Sequence, residues 1–372
     1  EWFAGYFPGC RMQFFNAGRS ALLAILQAFS IGTHDEVLVQ AFTCVAVPNS
    51  VLWAGARPVF VDIDKTLNID VADAEKKLTS NTKAIVVQHT FGVPADMHRI
   101  QKFCIKHNLV LIEDCAHSFG ATYKNQKLGT FGDAAFFSFG RDKVVSSVFG
   151  GAAMISEKRK VESVKLKNIS EQLTYPSFFW IFQQLFHPIS AMIILPLYNF
   201  ANFGKVTLWM LQKLHLLSFP VYLQEKQAEQ PSDFPKKFPN ALAYILLTQL
   251  WKLDTFNAHR NQIAMFYFKQ LANTEYKSSP IFEGAIYLRY NIATTRADEL
   301  RFRARKQQMI LGNWYAHTID PIGINYQKIG YEFGSCPVAE KSARDSINLP
   351  TYPALSIKQA EKICVFLKTM VS

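Results

Sequence analysis

Charged residues are scarce in this sequence, 19% of 372, while hydrophobic ones reach 49%, which excludes the polar, highly charged composition that keeps a chain unfolded. The six cysteines (Cys10, Cys44, Cys104, Cys115, Cys336 and Cys364) include no CxxC pair. Without one, neither a zinc site nor a disulfide framework is expected, no metal is assigned, and a reducing, cytoplasmic compartment is indicated. The start of the chain lacks a charged n-region with a short apolar core and small-residue cleavage site, so no signal peptide is read there. Internal repeats and low-complexity linkers are missing, and so is an apolar run of eighteen residues, which argues against a simple membrane-spanning helix. Acidic residues are outnumbered, 29 against 40 Lys and Arg, and the net charge of +11 suits acidic partners such as phosphorylated small molecules or anionic lipid. The basic residues are dispersed and no nucleic-acid module is recognisable, so nucleic acid is not an expected partner.

What is present is a regular alternation over the first 160 residues. Short β-branched or aromatic runs at 36–42 (EVLVQAF), 58–63, 83–89, 109–114 (LVLIED), 134–139 (AAFFSF) and 151–156 predict buried strands. Helical patterns lie between several of them, at 18–29 (GRSALLAILQAF), 70–79 and 96–107. Strands alternating with helices predict an α/β fold with a mostly parallel sheet covered on both faces, whose ligands bind beyond the carboxyl ends of the strands.

Residues 172–224 interrupt this pattern. Their only full charges are Lys205 and Lys213, and they hold twelve of the aromatics. Pro176, Pro188, Pro196 and Pro220 are expected to cut the stretch up, and Gln183, Gln184, His187 and Asn199 break its apolarity. Two readings stand for it. One is a peripheral membrane patch, with the basic cluster Lys158, Arg159, Lys160, Lys165 and Lys167 upstream to meet anionic lipid on the inner face of the membrane. The other is burial against the body or a dimer partner. Beyond it, 241–271 predicts one or two amphipathic helices, and the remainder a small α+β domain. The division is therefore 1–171, a large domain; 172–224, a hydrophobic insertion; and 225–372, a helical connection with a small C-terminal domain.

Chemistry concentrates at the ends of the expected strands. Asp114 closes an apolar strand, where a carboxylate is poorly solvated and needs a cationic or proton-donating partner. Lys143 follows another buried strand, and Gly18-Arg19-Ser20 opens a helix whose free backbone donors suit a phosphate. Together they fit pyridoxal phosphate, which asks for a lysine amine to form a Schiff base and a carboxylate to keep its pyridine nitrogen protonated.

The stretches GRSAL, DEVLVQAFTCVAVPNSVLWAGARPVFVDID, TKAIVVQHTFGVPADM, IEDCAHSFGATY, KLGTFGDAAFFSFGRDK and FGGAAMIS, in this order, resemble the DegT/DnrJ/EryC1/StrS aminotransferases. The resemblance is close over about 17–157 and looser over 239–372. It implies the fold-type I architecture of aspartate aminotransferase and a homodimer with active sites at the subunit interface. The implied activity is transfer of an amino group, usually from glutamate, to nucleotide-linked keto sugars for surface polysaccharides and related products. By position, it makes Lys143 of SFGRDK the Schiff-base lysine and proton carrier and Asp114 the partner of the pyridine nitrogen. Ser138, Arg19 and Ser20 become phosphate-binding residues. His117 stands where glutamine is commoner and is placed on the cofactor's phenolic oxygen or along its ring. Cys44 replaces a stacking aromatic. The family's phosphate-binding asparagine from the dimer partner aligns with Pro235, leaving Lys236 or Lys237 as substitutes. Two alternatives accompany this reading: a sugar dehydratase on the same fold, against which Lys143 argues because histidine marks those enzymes, and a non-catalytic membrane-associated scaffold.

Overall fold

The computed structural model describes residues 1–197 and 203–370. Asn199, read above as a break in the apolar segment, lies outside the described residues. A seven-stranded sheet forms the centre, in the spatial order Arg11–Phe15, Gly151–Ile155, Ala134–Ser138, Val110–Asp114, Thr82–Gln88, Glu36–Gln40, Arg57–Val61. The last five in that order, counted from Ala134–Ser138, run parallel, and Gly151–Ile155 alone runs antiparallel between its two neighbours. The architecture is α/β and mostly parallel, as the alternation of periods predicts. Strand 11–15 and the helix Ala46–Trp53 have no counterpart in that prediction. The first mixes polar with aromatic residues at an edge, and the second carries proline inside an apolar run.

The strands read as continuous apolar runs because both faces are buried. Side chains alternate across a strand, so Ile85, Val87, Leu111, Ala135 and Phe137 enter one core, with Met97, Ile100 and Leu242 of the covering helices. Their neighbours Ala84, Val86, Ile112, Ala134 and Phe136 enter a second core, with Leu22 and Ile25 of the helix Gly18–Ala28. Tyr315, Ile319 and Ala339, far along the chain, pack into this second core. A third core joins the helices Leu253–Leu271 and Ile357–Thr369 to a small antiparallel sheet of Lys277–Ser278, Tyr290–Ala293 and Ser346–Leu349. The C-terminal part is thus shared between its own small sheet and the large one.

The insertion forms two helices, Phe178–Leu197 and Phe203–Lys213. Pro188 and Pro196 were expected to cut this stretch, yet they lie inside the first helix. Each proline removes a single backbone donor, and the helix runs through both. One side of this helix is anchored: Trp180 is buried, its Nε1 donating 3.1 Å to the Tyr222 hydroxyl and its ring meeting Phe149 edge-on at 5.4 Å. Elsewhere on this helix Phe178, Met192 and Ile193 are exposed, and so are Phe203 and Trp209 of the second helix and Leu214 just after it. Among the described residues no helix is long and apolar enough to cross a membrane.

Candidate active site

Parallel strands in register bring their carboxyl ends to one edge, where Gln88 lies opposite Asp114 and Asp114 opposite Phe136, two residues before Ser138; there Ser138 also faces Gly151, the start of the antiparallel strand. The chain turning from strand 11–15 into the helix Gly18–Ala28 delivers that helix's N-terminus to the same edge. There a cavity of about 360 Å³ opens, lined by Gly18, Arg19, Asp114, His117, Ser138 and Lys143 among others. Four of its further walls come from elsewhere: Cys44, Arg141, the return segment Phe219–Val221, and the distant pair Trp314 and Tyr315.

Lys143 Nζ lies 3.1 Å from His117 Nε2 and 5.0 Å from the centre of the Trp314 ring. Burial holds the amine below the usual lysine range, with Cys44 and Asp114 opposing that shift. The His117 ring is sandwiched between Phe91 and Trp314, at centroid distances of 5.9 and 5.6 Å, and burial pushes its pKa well down, with the Lys143 and Arg289 charges adding to the effect. The Phe91 backbone N–H donates to Nδ1 at 3.4 Å, which places the proton of the neutral ring on Nε2, facing the Lys143 amine. Burial favours the uncharged, nucleophilic form of that amine.

Asp114 is buried at the strand end, where desolvation raises its pKa to about 6 against the lowering pull of the Ala116 N–H, Lys143 and His89. Oδ1 accepts that N–H at 2.9 Å, and no other side-chain or backbone donor reaches the carboxylate among the described residues. A buried carboxylate so poorly supplied fits a protonated ring nitrogen. At the other end of the cleft the helix Gly18–Ala28 has no side-chain cap, and the Ser138 hydroxyl beside it takes no protein partner among the described residues. A Cβ placed on Gly18 would stand 2.8 Å from Ser138 Cβ, so only glycine lets the helix start come this close. Open backbone donors, a free hydroxyl and a cradle that a Cβ would fill are what a phosphate requires. The residues present therefore fit pyridoxal phosphate, with Ser138 and the helix start at its phosphate, Asp114 at its nitrogen and Lys143 between.

Other expected site residues fall differently. Arg19 lines the cavity, but its guanidinium is paired with Glu225 and donates 2.6 Å to the Pro220 carbonyl, so its charge is neutralised by protein. Ser20 does not line the cavity. At 100° per residue its side chain rotates into the interior, where its hydroxyl donates to Asn16 Oδ1 at 2.9 Å, leaving only its backbone on the first turn. Lys236 donates to Thr174 Oγ1 at 3.0 Å and Lys237 lies 5.8 Å from the Tyr175 ring centre; the role expected of them is at the cleft of a dimer partner, not at that of their own chain. Cys44 does, its thiol raised by burial. Sequence reasoning missed Gln88, which the strand-end rule that found Asp114 also flags, and Trp314 and Tyr315, which sit in a loop with no periodic signal. The buried trio His89, Glu113 and Cys115 resembles a ligand set, but Glu113 already accepts from the backbone N–H groups of Gly129, Phe131 and Gly132, and His89 from that of Ala95.

Comparison with known proteins adds the following. The model of the DegT/DnrJ/EryC1/StrS aminotransferase family matches residues 12–173 and 212–368. The chain is 29% identical over 356 residues to a GDP-perosamine synthase from Escherichia coli O157:H7, covering 93% of this chain and 82% of that protein. It is 30% identical over 365 residues to a pleiotropic regulatory protein from Geobacillus stearothermophilus, covering 94% and 83%. Among solved structures, NtdA from Bacillus subtilis with bound cofactor PMP superposes with a TM-score of 0.74 at 19% identity, covering 99% of this chain and 75% of that one.

Proposed function

The chain belongs to the DegT/DnrJ/EryC1/StrS aminotransferase family, and from that premise we propose that it moves an amino group from an amino acid, glutamate first among donors, to a keto sugar carried on a nucleotide, for surface polysaccharide or a related product. The observation that carries this reading is the Lys143 amine held at 3.1 Å from His117 in the same cleft as the buried Asp114.

Pyridoxal phosphate, when bound, supplies an aldehyde that carries the amino group and a ring that accepts electrons. The protein's part is binding, orientation and proton traffic. Ser138 and the uncapped first turn of the helix Gly18–Ala28 hold the phosphate. Asp114 keeps a proton on the ring nitrogen, which its own burial and the absence of a competing donor favour. Lys143 Nζ attaches the cofactor at rest, and once freed it takes the proton from the donor's Cα and returns it on the carbon that receives it. His117 Nε2–H orients the Lys143 lone pair, and the Phe91, His117 and Trp314 stack keeps water from that side of the cleft. Run in reverse, the same residues deliver the nitrogen to the keto sugar.

Two features of the assembly belong to the same proposal. The active form is a homodimer at the cytoplasmic side; Tyr244, Leu247 and Trp251, exposed outside the insertion, supply an apolar patch that a second copy covers. The insertion docks peripherally on anionic lipid. What supports this is an exposed apolar face on helices that contain no Asp or Glu, with Lys205 and Lys213 as their only full charges. Of the upstream basic cluster, Arg159 is drawn to Asp133 and Lys167 to Glu171, while Lys158, Lys160 and Lys165 form no ion pair among the described residues and carry its attraction for anionic lipid.

The test is spectroscopic. Purified protein should take up pyridoxal phosphate with a visible absorbance band, lose the band on addition of glutamate, and regain it with a nucleotide keto sugar. Cofactor uptake without any donor-dependent change would contradict the assignment and favour the non-catalytic alternative.

A further inference from the structure

We propose that Arg141 and Ser218 form an anion subsite in the wall of the cleft, built to take a phosphate group. The inference rests on the aminotransferase reading, which brings phosphate to this cleft in the cofactor and in the diphosphate of a nucleotide-linked sugar.

Arg141 lines the cavity two residues before Lys143. Its Nη2 donates 2.6 Å to Ser218 Oγ, and Ser218 in turn donates 2.7 Å to the buried Gln184 Oε1. Gln184 is itself fixed by a 3.0 Å bond from its Nε2 to the Trp180 carbonyl. The relay runs in one direction, so Ser218 has spent its proton and holds the guanidinium by its oxygen. Arg141 Nε is buried with no partner, and among the described residues no carboxylate forms an ion pair with the guanidinium. An always-charged group is thus held out of water with one edge of its planar fork unused, which is costly without an anion.

Of the carboxylates besides Asp114 that line the cleft, Asp142 acts on Arg141 through its charge without forming an ion pair with it, and burial pushes Asp320 up to about 6. Arg19 is neutralised by Glu225, Lys226 donates to the Ile322 carbonyl at 2.8 Å, and burial drives Lys143 and Asp114 toward their neutral forms. Position favours phosphate over the donor's carboxylate. Arg19, in the first turn of the helix Gly18–Ala28, donates to Pro220 and Arg141 donates to Ser218, so both hold one short return segment and the phosphate-binding helix start is tied to the same segment as Arg141. A guanidinium fork and an adjacent hydroxyl match phosphate oxygens bidentately. Of the residues in this relay, Gln184 lies in the stretch that the family model does not match, whereas Ser218 lies in the matched part.

Isothermal titration of inorganic pyrophosphate into cofactor-loaded and cofactor-free protein tests the subsite, alongside pyridoxal phosphate uptake followed by absorbance. Wild type should bind pyrophosphate; Arg141→Gln should weaken it tenfold or more, Ser218→Ala a few-fold, and Arg141→Lys should retain part of the affinity by keeping the charge. A loss seen for pyrophosphate on the loaded protein assigns the subsite to the acceptor's diphosphate, whereas a loss seen only in cofactor uptake assigns it to the cofactor's phosphate. Unchanged affinity for both in Arg141→Gln and Ser218→Ala overturns the proposal, and so does absence of pyrophosphate binding by a wild type whose cofactor uptake is also insensitive to Arg141. Failure of wild type to respond to glutamate would instead count against the aminotransferase reading, because the pyrophosphate isotherm does not depend on turnover.

Discussion

The cleft and the insertion use burial in opposite ways. In the cleft, ionisable groups are withdrawn from water and their chemistry follows from that: the Lys143 amine is held below the usual lysine range and Asp114 is raised to about 6. Across the insertion, apolar groups are left in water, Phe178 at 93% exposure and Met192 at 76%, while Gln184 and Ser218 are buried. The family match runs through the first region and stops at residue 173, resuming at 212. The unmatched stretch holds most of a pair of helices, and the matched chain after it supplies Ser218 and Phe219–Val221 to the cleft wall.

The largest effect that separates the regions should come from Lys143→Ala, which removes both the cofactor attachment and the proton carrier. Amino transfer should fall below detection in a glutamate-dependent assay while the hairpin's lipid binding is retained. Asp114→Asn should keep some cofactor yet lose several orders of magnitude in turnover, since a preorganised electrostatic contact of this kind is among the largest single contributions to catalysis. Near-normal turnover by that variant would remove Asp114 from the account.

Within the insertion two aromatic positions on one helix should behave in opposite ways. Trp180→Glu places a charge in a packed, buried site and should lower stability by roughly 3 to 5 kcal/mol in a denaturant titration. Phe178→Glu with Trp209→Glu should leave thermal stability and amino transfer unchanged but release the protein from anionic vesicles in flotation. Wild type that stays with the soluble fraction at low salt would assign the exposed face to a second copy of the chain.

The smallest effect concerns pH. Asp114 binds its proton more tightly folded, at about 6, than unfolded, at an ordinary 3.8, so between those values the folded state holds more protons and stability falls as pH rises. In the cofactor-free protein, Asp114→Asn should therefore be more stable than wild type above pH 6, by on the order of 3 kcal/mol for about two pKa units, and should show no gain below pH 4. A constant difference across that range would mean that Asp114 is not desolvated as described.

Much of the cleft was legible in the sequence because its residues follow rules of position. Asp114, Ser138 and Gln88 end parallel strands, Lys143 follows one, and Gly18 starts a helix; strand periodicity finds all of them. Ser20 was misplaced because a helix N-terminus identifies backbone donors and says nothing about which way each side chain turns. Arg19 matched a binding position, but its neutralising partner Glu225 is 206 residues away in sequence and no local pattern links them. Trp314 and Tyr315 arrive from a loop near the small domain, a tertiary event without local periodicity. In the insertion, composition revealed an unusual surface, yet not that Trp180 would be anchored and Phe178 free, because that depends on which side of the helix meets Phe149 and Tyr222.

The central claim is that Lys143 is the lysine on which pyridoxal phosphate is held. Borohydride reduction of the cofactor-loaded protein, followed by peptide mapping, tests it directly: the adduct should be recovered on Lys143 and should be absent after exposure to excess glutamate before reduction. Recovery of the label on another lysine, or an adduct on Lys143 that glutamate does not displace, would contradict it.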